Sequence, residues 1–413
     1  MLLYVVMVYA LYLVVKVYIS FMQIGYVKFE MLKPALLLND EDYKSAGQYA
    51  VKKEKMAILG SFIEFWVFIF WVGSGFAWLQ GLLHFENEIV QAVIFVDAVI
   101  LINYFISLPM DIYQKFGIDT KFGFNKSTPK LFIIDTLKSG ALFFVFGSAV
   151  IAGIAYLINS FESWWFYSFV FVFTLIILIN MIYPTFIAPL FNKMELLKDD
   201  ALRSKIEDLL QGVGFKSSGV FSVDASKRDS RLNAYFGGLG STKRVVLYDT
   251  LIEKITTNEL LAVLGHELGH FKHGDVYKLI AMNGLIMFSF FAILGNLPEQ
   301  LFNDMFVLKD AGILIALFLM IMSPLMFILM PFINYISRKN EFAADQYGSD
   351  LKSADDLKNA LIKLTTANKN FPKSHSLYIL FYYSHPSVLE RIEAMGGMPE
   401  ISSVERDATN VEF

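Results

Sequence analysis

The sequence predicts an all-α polytopic membrane protein, and three observations lead to that class. Of the 413 residues, 55% are hydrophobic and only 18% are charged. The mean hydropathy is +0.50, whereas soluble domains carry about 25% charged residues. The apolar residues also gather in stretches of about 20, the length that crosses the core of a bilayer.

Seven such stretches follow one another along the chain. They cover roughly residues 2–26, 57–82, 89–110, 140–158, 164–190, 279–297 and 311–335. The first lacks a basic leader and a cleavage site, so we expect a retained helix rather than a signal peptide. The chain then divides into four segments: 1–190 with helices one to five, the polar segment 191–278, 279–335 with helices six and seven, and the polar segment 336–413.

The basic residues orient these helices. Lysines and arginines crowd the connections after stretches one, three, five and seven. The connections after stretches two and four have none, and the connection after stretch six has only Lys309. Because basic loops stay in the cytoplasm, we expect the N-terminus outside and both large polar segments on the cytoplasmic side.

Three ionisable residues, Lys16, Glu64 and Asp97, fall well inside the apolar stretches. Charges in a membrane are costly and face partners or water. Two interpretations are open: an ion pair that helps the helices pack, or the lining of an aqueous chamber.

Charge and cysteine usage exclude other classes. The net charge is −4, which gives no reason to expect a nucleic-acid partner. The chain contains no cysteine, so disulfides, thiolate metal ligands and a cysteine nucleophile are excluded.

A metal-binding motif stands in the first polar segment. Thr256 and Glu259 have the spacing of a capping box that opens a helix. On that helix His266 and His270 are one turn apart on one face, so both can reach one metal ion. Glu267 between them can take a proton from a zinc-bound water and pass it to the leaving amine. The alternative is two surface histidines on an amphipathic helix.

A catalytic zinc has three protein ligands and one open position, and here the third must be His, Asp or Glu. Glu341 and Asp345 are again one turn apart, just after the seventh stretch. Glu341 can be the third ligand, and Asp345 can accept the free ring N–H of a ligand histidine. The alternative is an ordinary acidic helix face. His273 is a rival ligand by spacing, but the pair that brackets Glu267 fits a peptidase site better.

The sequence resembles the type I CAAX prenyl endopeptidases, which are seven-helix membrane zinc metalloproteases. The matching segments are LAVLGHELGH at 261–270, YPTFIAPLFNK at 183–193, and residues 123–125, 233–236, 341–345, 384–387 and 390–391. The resemblance implies a barrel of seven helices around a water-filled chamber, with a small α+β metalloprotease domain on the cytoplasmic side. It implies one Zn²⁺ per chain, held by His266, His270 and Glu341, with Glu267 as the general base.

The same resemblance implies roles for two residues near the C-terminus. His385 and Arg391 would lie near the scissile bond, where His385 could stabilise the developing oxyanion. Without the family, the better interpretation of His385 is a loop histidine beside the turn-forming Pro386.

Asn233 has an interpretation from the residues themselves. Segments 219–225 and 244–249 have strand character, with residues 233–236 between them. An edge strand here could hold a substrate backbone by strand addition, with Asn233 bonding a substrate peptide group. The alternative is a turn asparagine before Gly237 and Gly238.

These observations predict a zinc endopeptidase that cuts peptides or protein tails, prenylated or not, at the cytoplasmic membrane face. One alternative is a general quality-control metalloprotease, although the membrane metalloproteases of that kind have about four spans. Another is a transporter or scaffold with a structural zinc, which would need no Glu267.

Asp275 stands where some family members carry a further histidine. Residues 410–413 lack a dilysine retrieval signal, and with the short, cysteine-free chain this predicts a bacterial plasma membrane.

Overall fold

The computed structural model describes residues 1–238 and 243–398. Seven of its helical segments are long and apolar enough to cross a membrane. They are Leu2–Glu30, Asp40–Leu82, Glu88–Asp119, Pro129–Ser160, Trp164–Phe191, Asp275–Gly295 and Ala311–Leu351. Each coincides with one of the seven apolar stretches, which confirms the prediction of a seven-span membrane protein.

The first five spans are built from eight α-helices. These are α1 (Leu2–Glu30), α2 (Asp40–Phe70), α3 (Phe76–Leu82), α4 (Glu88–Ile112), α5 (Pro129–Leu142), α6 (Ser148–Ser160), α7 (Trp164–Ile182) and α8 (Ala188–Phe191). Single π-helical turns interrupt or end four of the spans, at Trp71–Gly75, Tyr113–Asp119, Phe143–Gly147 and Tyr183–Ile187.

The remaining helices are α9 (Asp200–Gly212), α10 (Asp249–Ile252), α11 (Thr257–Lys272), α12 (Asp275–Gly295), α13 (Glu299–Asp304), α14 (Ala311–Leu351), α15 (Ala354–Ala367), α16 (Ser376–Tyr382) and α17 (Val388–Ala394). The strands are β1 (Met194–Leu196), β2 (Val220–Val223), β3 (Ala234–Gly237) and β4 (Arg244–Tyr248).

The spans form a closed ring. Helix α1 packs on α2, α2 on α4, α4 on α6, α6 on α7, α7 on α12, α12 on α14, and α14 again on α1. Helix α14 also packs across the ring against α4, where Gly312 approaches Ala92 and Phe95 so closely that a Cβ would lie 3.3 Å from the Ala92 Cα. This contact is at the start of α14. Packed side chains therefore fill the ring of helices at the end that lies opposite to the polar segments.

Helix α14 joins the membrane ring to the polar domain. Its 41 residues span about 60 Å at 1.5 Å per residue, twice the thickness of a bilayer core. The extra turns carry Glu341 and Asp345 away from the apolar part of the span and into the polar domain.

The polar domain contains a four-stranded sheet in the order β1-β2-β4-β3. Strands β2 and β4 run parallel, and β3 lies antiparallel to β4 at the edge of the sheet. Strands β2 and β4 confirm the strand character predicted for 219–225 and 244–249. Buried Ile206 of α9, Leu247 of β4 and Leu264 of α11 belong to one apolar core, so the sheet holds α11 in place.

The ionisable residues within the spans do not form a single cluster. Lys16 Nζ lies 3.0 Å from Glu64 Oε2, and the hydroxyl of Tyr9 donates to Glu64 Oε1 at 3.2 Å. Asp97 instead accepts a hydrogen bond from Ser148 at 2.8 Å. Lys16 and Glu64 therefore form the helix-packing ion pair. Glu64 also lines a cavity of about 570 Å³ inside the ring, and its filling by water stays a prediction.

The division of the chain into four segments also stays a prediction. The structure places the start of α12 at Asp275, directly after the turn that follows α11. Part of the segment 336–413, and with it the C-terminal residues 410–413, lies outside the described residues.

Candidate metal centre

Helix α11 begins as its sequence predicts. Thr256 Oγ1 accepts a hydrogen bond from the Glu259 amide at 3.3 Å, and Glu259 Oε2 accepts one from the Thr256 amide at 2.6 Å. This capping box satisfies backbone donors that the first turn leaves free. About three and four turns later stand His266 and His270, whose ring centroids lie 4.9 Å apart with the ring planes nearly perpendicular.

Small residues bring α11 against α14. A Cβ on Gly269 would lie 2.8 Å from the Ala344 Cα, and a Cβ on Gly348 would lie 2.7 Å from the His266 amide nitrogen. The two backbones are therefore nearly in contact, which any side chain at Gly269 or Gly348 would prevent. This close approach brings Glu341, which is one turn before Ala344, to the histidines.

His266, His270 and Glu341 together form a candidate metal site. One ligand atom from each lies within 4.8 Å of the other two. Glu341 Oε2 lies 3.4 Å from His266 Nε2, and Glu341 Oε1 lies 3.2 Å from His270 Nε2.

The donor set fits a metal ion. Within the part of the chain that the structure describes, Glu341 Oε2 is a buried carboxylate oxygen with no hydrogen-bond partner. Leaving such an atom unpaired is costly, and a cation between the carboxylate and the imidazoles would satisfy it. Two imidazoles and one carboxylate are also the ligands of a known class of catalytic zinc site.

Each of the two histidines has one aspartate beside its Nδ1 atom. Asp345 Oδ1 lies 2.8 Å from His266 Nδ1, and Asp275 Oδ2 lies 2.9 Å from His270 Nδ1. A proton on Nδ1 leaves Nε2 free to bind a metal ion. Asp345 was predicted for this position. In the sequence Asp275 stands out only as a departure from the family, because its position beside His270 depends on the left-handed turn at Gly274 (φ 69°).

The surrounding carboxylates favour positive charge at the histidines. Burial by itself would lower the pKa of His270, but hydrogen bonds to Glu341 and Asp275 raise it to about 9. The same carboxylates attract a metal cation, which displaces protons from the ligands when it binds.

Glu267 faces the cavity beside these ligands. It contributes to the wall of a cavity of about 500 Å³, together with Asn233, His385 and Arg391. Burial raises the pKa of the Glu267 carboxyl above the usual value of a glutamate. A carboxylate with a raised pKa is a stronger base, as proton transfer near neutral pH requires.

His385 borders the same site from the loop before α17. Its Nε2 lies 3.2 Å from Glu341 Oε1, and its side chain is 61% exposed. The hydroxyl of Ser384 lies 2.8 Å from Nδ1 on the other side of the ring. The imidazole of His385 is thus close to the metal ligands and open to the cavity.

Arg391 has a partner that the sequence did not reveal. Its Nε donates to Asp345 Oδ2 at 2.8 Å and its Nη2 to Asp345 Oδ1 at 2.6 Å. This two-bonded contact fixes the carboxylate that in turn holds His266. Arg391 is only 8% exposed, so its main contacts are with the residues that surround the metal ligands.

Asn233 lies at the start of the edge strand β3, with its side chain exposed. The amide of the residue before it, Leu232, donates to Asn368 Oδ1 at 2.8 Å, and Asn368 Nδ2 donates to the Leu232 carbonyl at 3.2 Å. Asn368 thus occupies the backbone groups just ahead of β3. No pattern in the sequence pointed to this contact between residues 136 positions apart.

The ring of membrane helices and the His-His-Glu centre with a base beside it define an integral-membrane metalloprotease. Two family models match the chain: a CAAX prenyl protease N-terminal domain with five membrane helices over residues 31–193, and peptidase family M48 over residues 196–398. The chain therefore belongs to peptidase family M48, in the branch with the CAAX prenyl protease N-terminal domain.

Individual relatives agree with this assignment. The chain is 34% identical to a CAAX prenyl protease 1 homolog from Taenia solium, with 87% of each chain covered. It is 30% identical to CAAX prenyl protease 1 from Saccharomyces cerevisiae, with 93% of this chain and 92% of the relative covered. The crystal structure of S. mikatae Ste24p superimposes with a TM-score of 0.85 at 28% identity, covering 94% of this chain and 98% of that one. The predicted family and fold are confirmed.

Proposed function

We propose that the protein is a zinc endopeptidase that cleaves peptide bonds near the C-terminus of proteins or peptides, including prenylated CAAX tails, at the cytoplasmic membrane face. The observation that supports this most is the grouping of His266, His270 and Glu341 at one point, with Glu267 in the wall of the adjoining cavity. The relatives are named CAAX prenyl protease 1 and its homolog, and these names supply the CAAX substrate class.

The three ligands would hold one zinc ion. When bound, zinc polarises the scissile carbonyl and makes water more acidic. Asp345 and Asp275 keep the Nδ1 protons of the two histidines in place, and Arg391 fixes Asp345. Arg391 therefore acts as a positioning residue in this proposal, and direct binding of substrate by it stays a prediction.

Glu267 would do the proton transfer. It accepts the proton of the attacking water and then delivers it to the leaving amine. His385, with its ring exposed to the cavity, donates a hydrogen bond to the oxygen that becomes negative in the transition state. Asn233 and the free edge of β3 bind the substrate backbone as an added strand.

Purified protein should cleave a farnesylated CAAX peptide, and removal of zinc by a chelator should abolish the cleavage. Added zinc should restore it. Equal cleavage of unrelated unfolded membrane proteins would favour the alternative, a quality-control metalloprotease. No hydrolysis of any peptide by the zinc-loaded protein would contradict the proposal.

We also propose that the metal centre faces the cytoplasm, with the N-terminus outside. The chain has no cysteine, so single cysteines can be labelled without background. In right-side-out vesicles an impermeant maleimide should label Ser163→Cys, in a connection without basic residues, and spare Lys126→Cys, in a basic one. The reverse pattern would invert the topology. The bacterial plasma membrane stays a prediction from the sequence, and association with membrane lipid is inferred from the seven spans.

A further inference from the structure

Two lysines line the catalytic cavity and lack an acidic partner. They are Lys53 on α2 and Lys369 just after α15. Lys369 Nζ donates to Ser45 Oγ at 2.9 Å, and Lys53 Nζ lies 5.6 Å from the centre of the Tyr49 ring. Neither forms an ion pair with any residue in 1–238 or 243–398. Ser45, Tyr49 and Lys53 follow one another by one turn on α2, so both cations lie along one stripe of the wall.

The only carboxylates that line this cavity within the described residues are those of Glu267 and Glu54. Glu267 belongs to the metal centre. Glu54 is buried, and its Oε1 accepts a hydrogen bond from the Tyr378 hydroxyl at 2.6 Å. The stripe with Lys53 and Lys369 is therefore the part of the cavity wall that favours an anion.

Lys369 occupies a backbone position that normally belongs to glycine. Its φ is +48°, and the hydrogen bonds from Lys369 N to Thr366 O and from Asn370 N to Thr365 O close the end of α15 as a Schellman motif. Glycine is preferred at this position because a side chain there strains the backbone. A strained lysine directed at a cavity is a reason to look for a function of its side chain.

The contact of Asn368 with Leu232 places Lys369 beside the start of β3. A peptide that added to the free edge of β3 in the antiparallel direction would point its own C-terminal end toward that start. Asn233 beside this start lines the same cavity as Glu267, Lys53 and Lys369, so the terminal carboxylate of such a peptide would lie in the cavity that holds the lysine stripe.

We propose that Lys369, supported by the charge of Lys53, binds the terminal α-carboxylate of the substrate, so that the enzyme selects free C-termini and measures its cut from them. This inference rests on the proposed endopeptidase function and adds the feature of the substrate that the cavity recognises. An ammonium group and a carboxylate form a charge-assisted hydrogen bond, which an amide at the same position cannot replace.

The test compares two farnesylated CAAX peptides that differ only in a free carboxylate or an amide at the C-terminus. Their binding is measured on the zinc-loaded Glu267→Gln protein, which keeps the peptide intact. The acid should bind about tenfold more tightly than the amide, the effect of one charge-assisted hydrogen bond. Lys369→Gln should bring this ratio close to one. Lys52→Gln is the matched control, because Lys52 is an exposed lysine on α2 beside Lys53 and lies outside this cavity.

Lys369→Gly separates recognition from folding. The glycine relieves the left-handed backbone, so the melting temperature should rise, while the preference for the acid should be lost. Equal binding of both peptides to the parent protein, or an equal loss of both in Lys369→Gln, would overturn the proposal. Preferential binding of the acid without cleavage of it by the unmutated enzyme would support this proposal and contradict the proposed protease function.

Discussion

Among the ionisable side chains enclosed in the described part of the protein, the group in the membrane ring and the group in the metal centre differ in how their charges are balanced. In the ring, Lys16 and Glu64 neutralise each other at 3.0 Å, and both Glu64 oxygens have donors. In the metal centre, Glu341 Oε2 is buried without a hydrogen-bond partner among the described residues.

This difference shows which enclosed charges indicate a site. The Lys16–Glu64 pair is complete without a ligand, as expected of a pair that serves helix packing. The Glu341 carboxylate has Arg391 Nη1 at 3.7 Å from Oε2, beyond hydrogen-bond distance, and it faces two imidazoles whose other nitrogens are already held by aspartates, so this group has room for a further cation. Asp97 Oδ1 in the ring is also buried without a hydrogen-bond partner among the described residues, so an unpaired carboxylate oxygen indicates a metal site only where imidazoles lie beside it, as at Glu341.

The largest expected effect comes from removing one carboxylate charge from each group. Glu341→Gln should lose zinc affinity by more than the roughly 100-fold that loss of an outer partner costs, and hydrolysis with it. Glu64→Gln should lower the melting temperature yet retain zinc and activity. Metal analysis and peptide hydrolysis on both purified variants check this. Loss of zinc from Glu64→Gln, or retention of zinc by Glu341→Gln, would contradict the proposed difference between the two groups.

A smaller effect is expected from Asp275, which only orients a ligand. Asp275→Asn keeps the shape but weakens the hold on the His270 Nδ1 proton, so zinc affinity should fall about 10–100-fold. Competition with a chelator of known affinity measures this. Lys278→Gln serves as the control, because Lys278 contacts Asp275 but no histidine. An unchanged zinc affinity in Asp275→Asn would mean that the hydrogen bond contributes nothing to the site.

The smallest change is one methyl group at the α11–α14 contact. Gly269→Ala places a Cβ 2.8 Å from the Ala344 backbone and should destabilise the protein by about 1–3 kcal/mol, moving Glu341 away from the histidines. Gly265→Ala on the same helix would meet its nearest atom at 3.4 Å and should cost less. Thermal unfolding with and without zinc compares the two. Equal stability of the two variants would show that close helix contact does not set the ligand geometry.

What the sequence could predict was local. Apolar length predicts the seven spans, and helical spacing places His266 with His270 on one face of a helix and Glu341 with Asp345 on one face of another, as the structure has them. These features depend on residues at most a few turns apart, so periodicity alone carries them.

What the sequence could not predict depends on packing between distant parts. The contact of Arg391 with Asp345 joins residues 46 positions apart. The contact of Gly269 with Ala344 requires knowing that α11 and α14 cross at these small residues. The contact of Asp275 with His270 is the local exception, five residues apart, and it follows from the left-handed turn at Gly274. None of these contacts has a spacing pattern in the sequence. For the contact between α11 and α14, however, the small residues one turn apart on each of these two helices are a usable signal.

The central claim is that His266, His270 and Glu341 bind the metal while Glu267 alone moves the proton. The most direct measurement is the zinc content and the rate of peptide hydrolysis of purified Glu267→Gln beside the unmutated protein. The account predicts one zinc ion per chain in both proteins and a rate about 10³-fold lower in the variant. Hydrolysis by Glu267→Gln at the unmutated rate, or an active protein that contains no zinc, would contradict it.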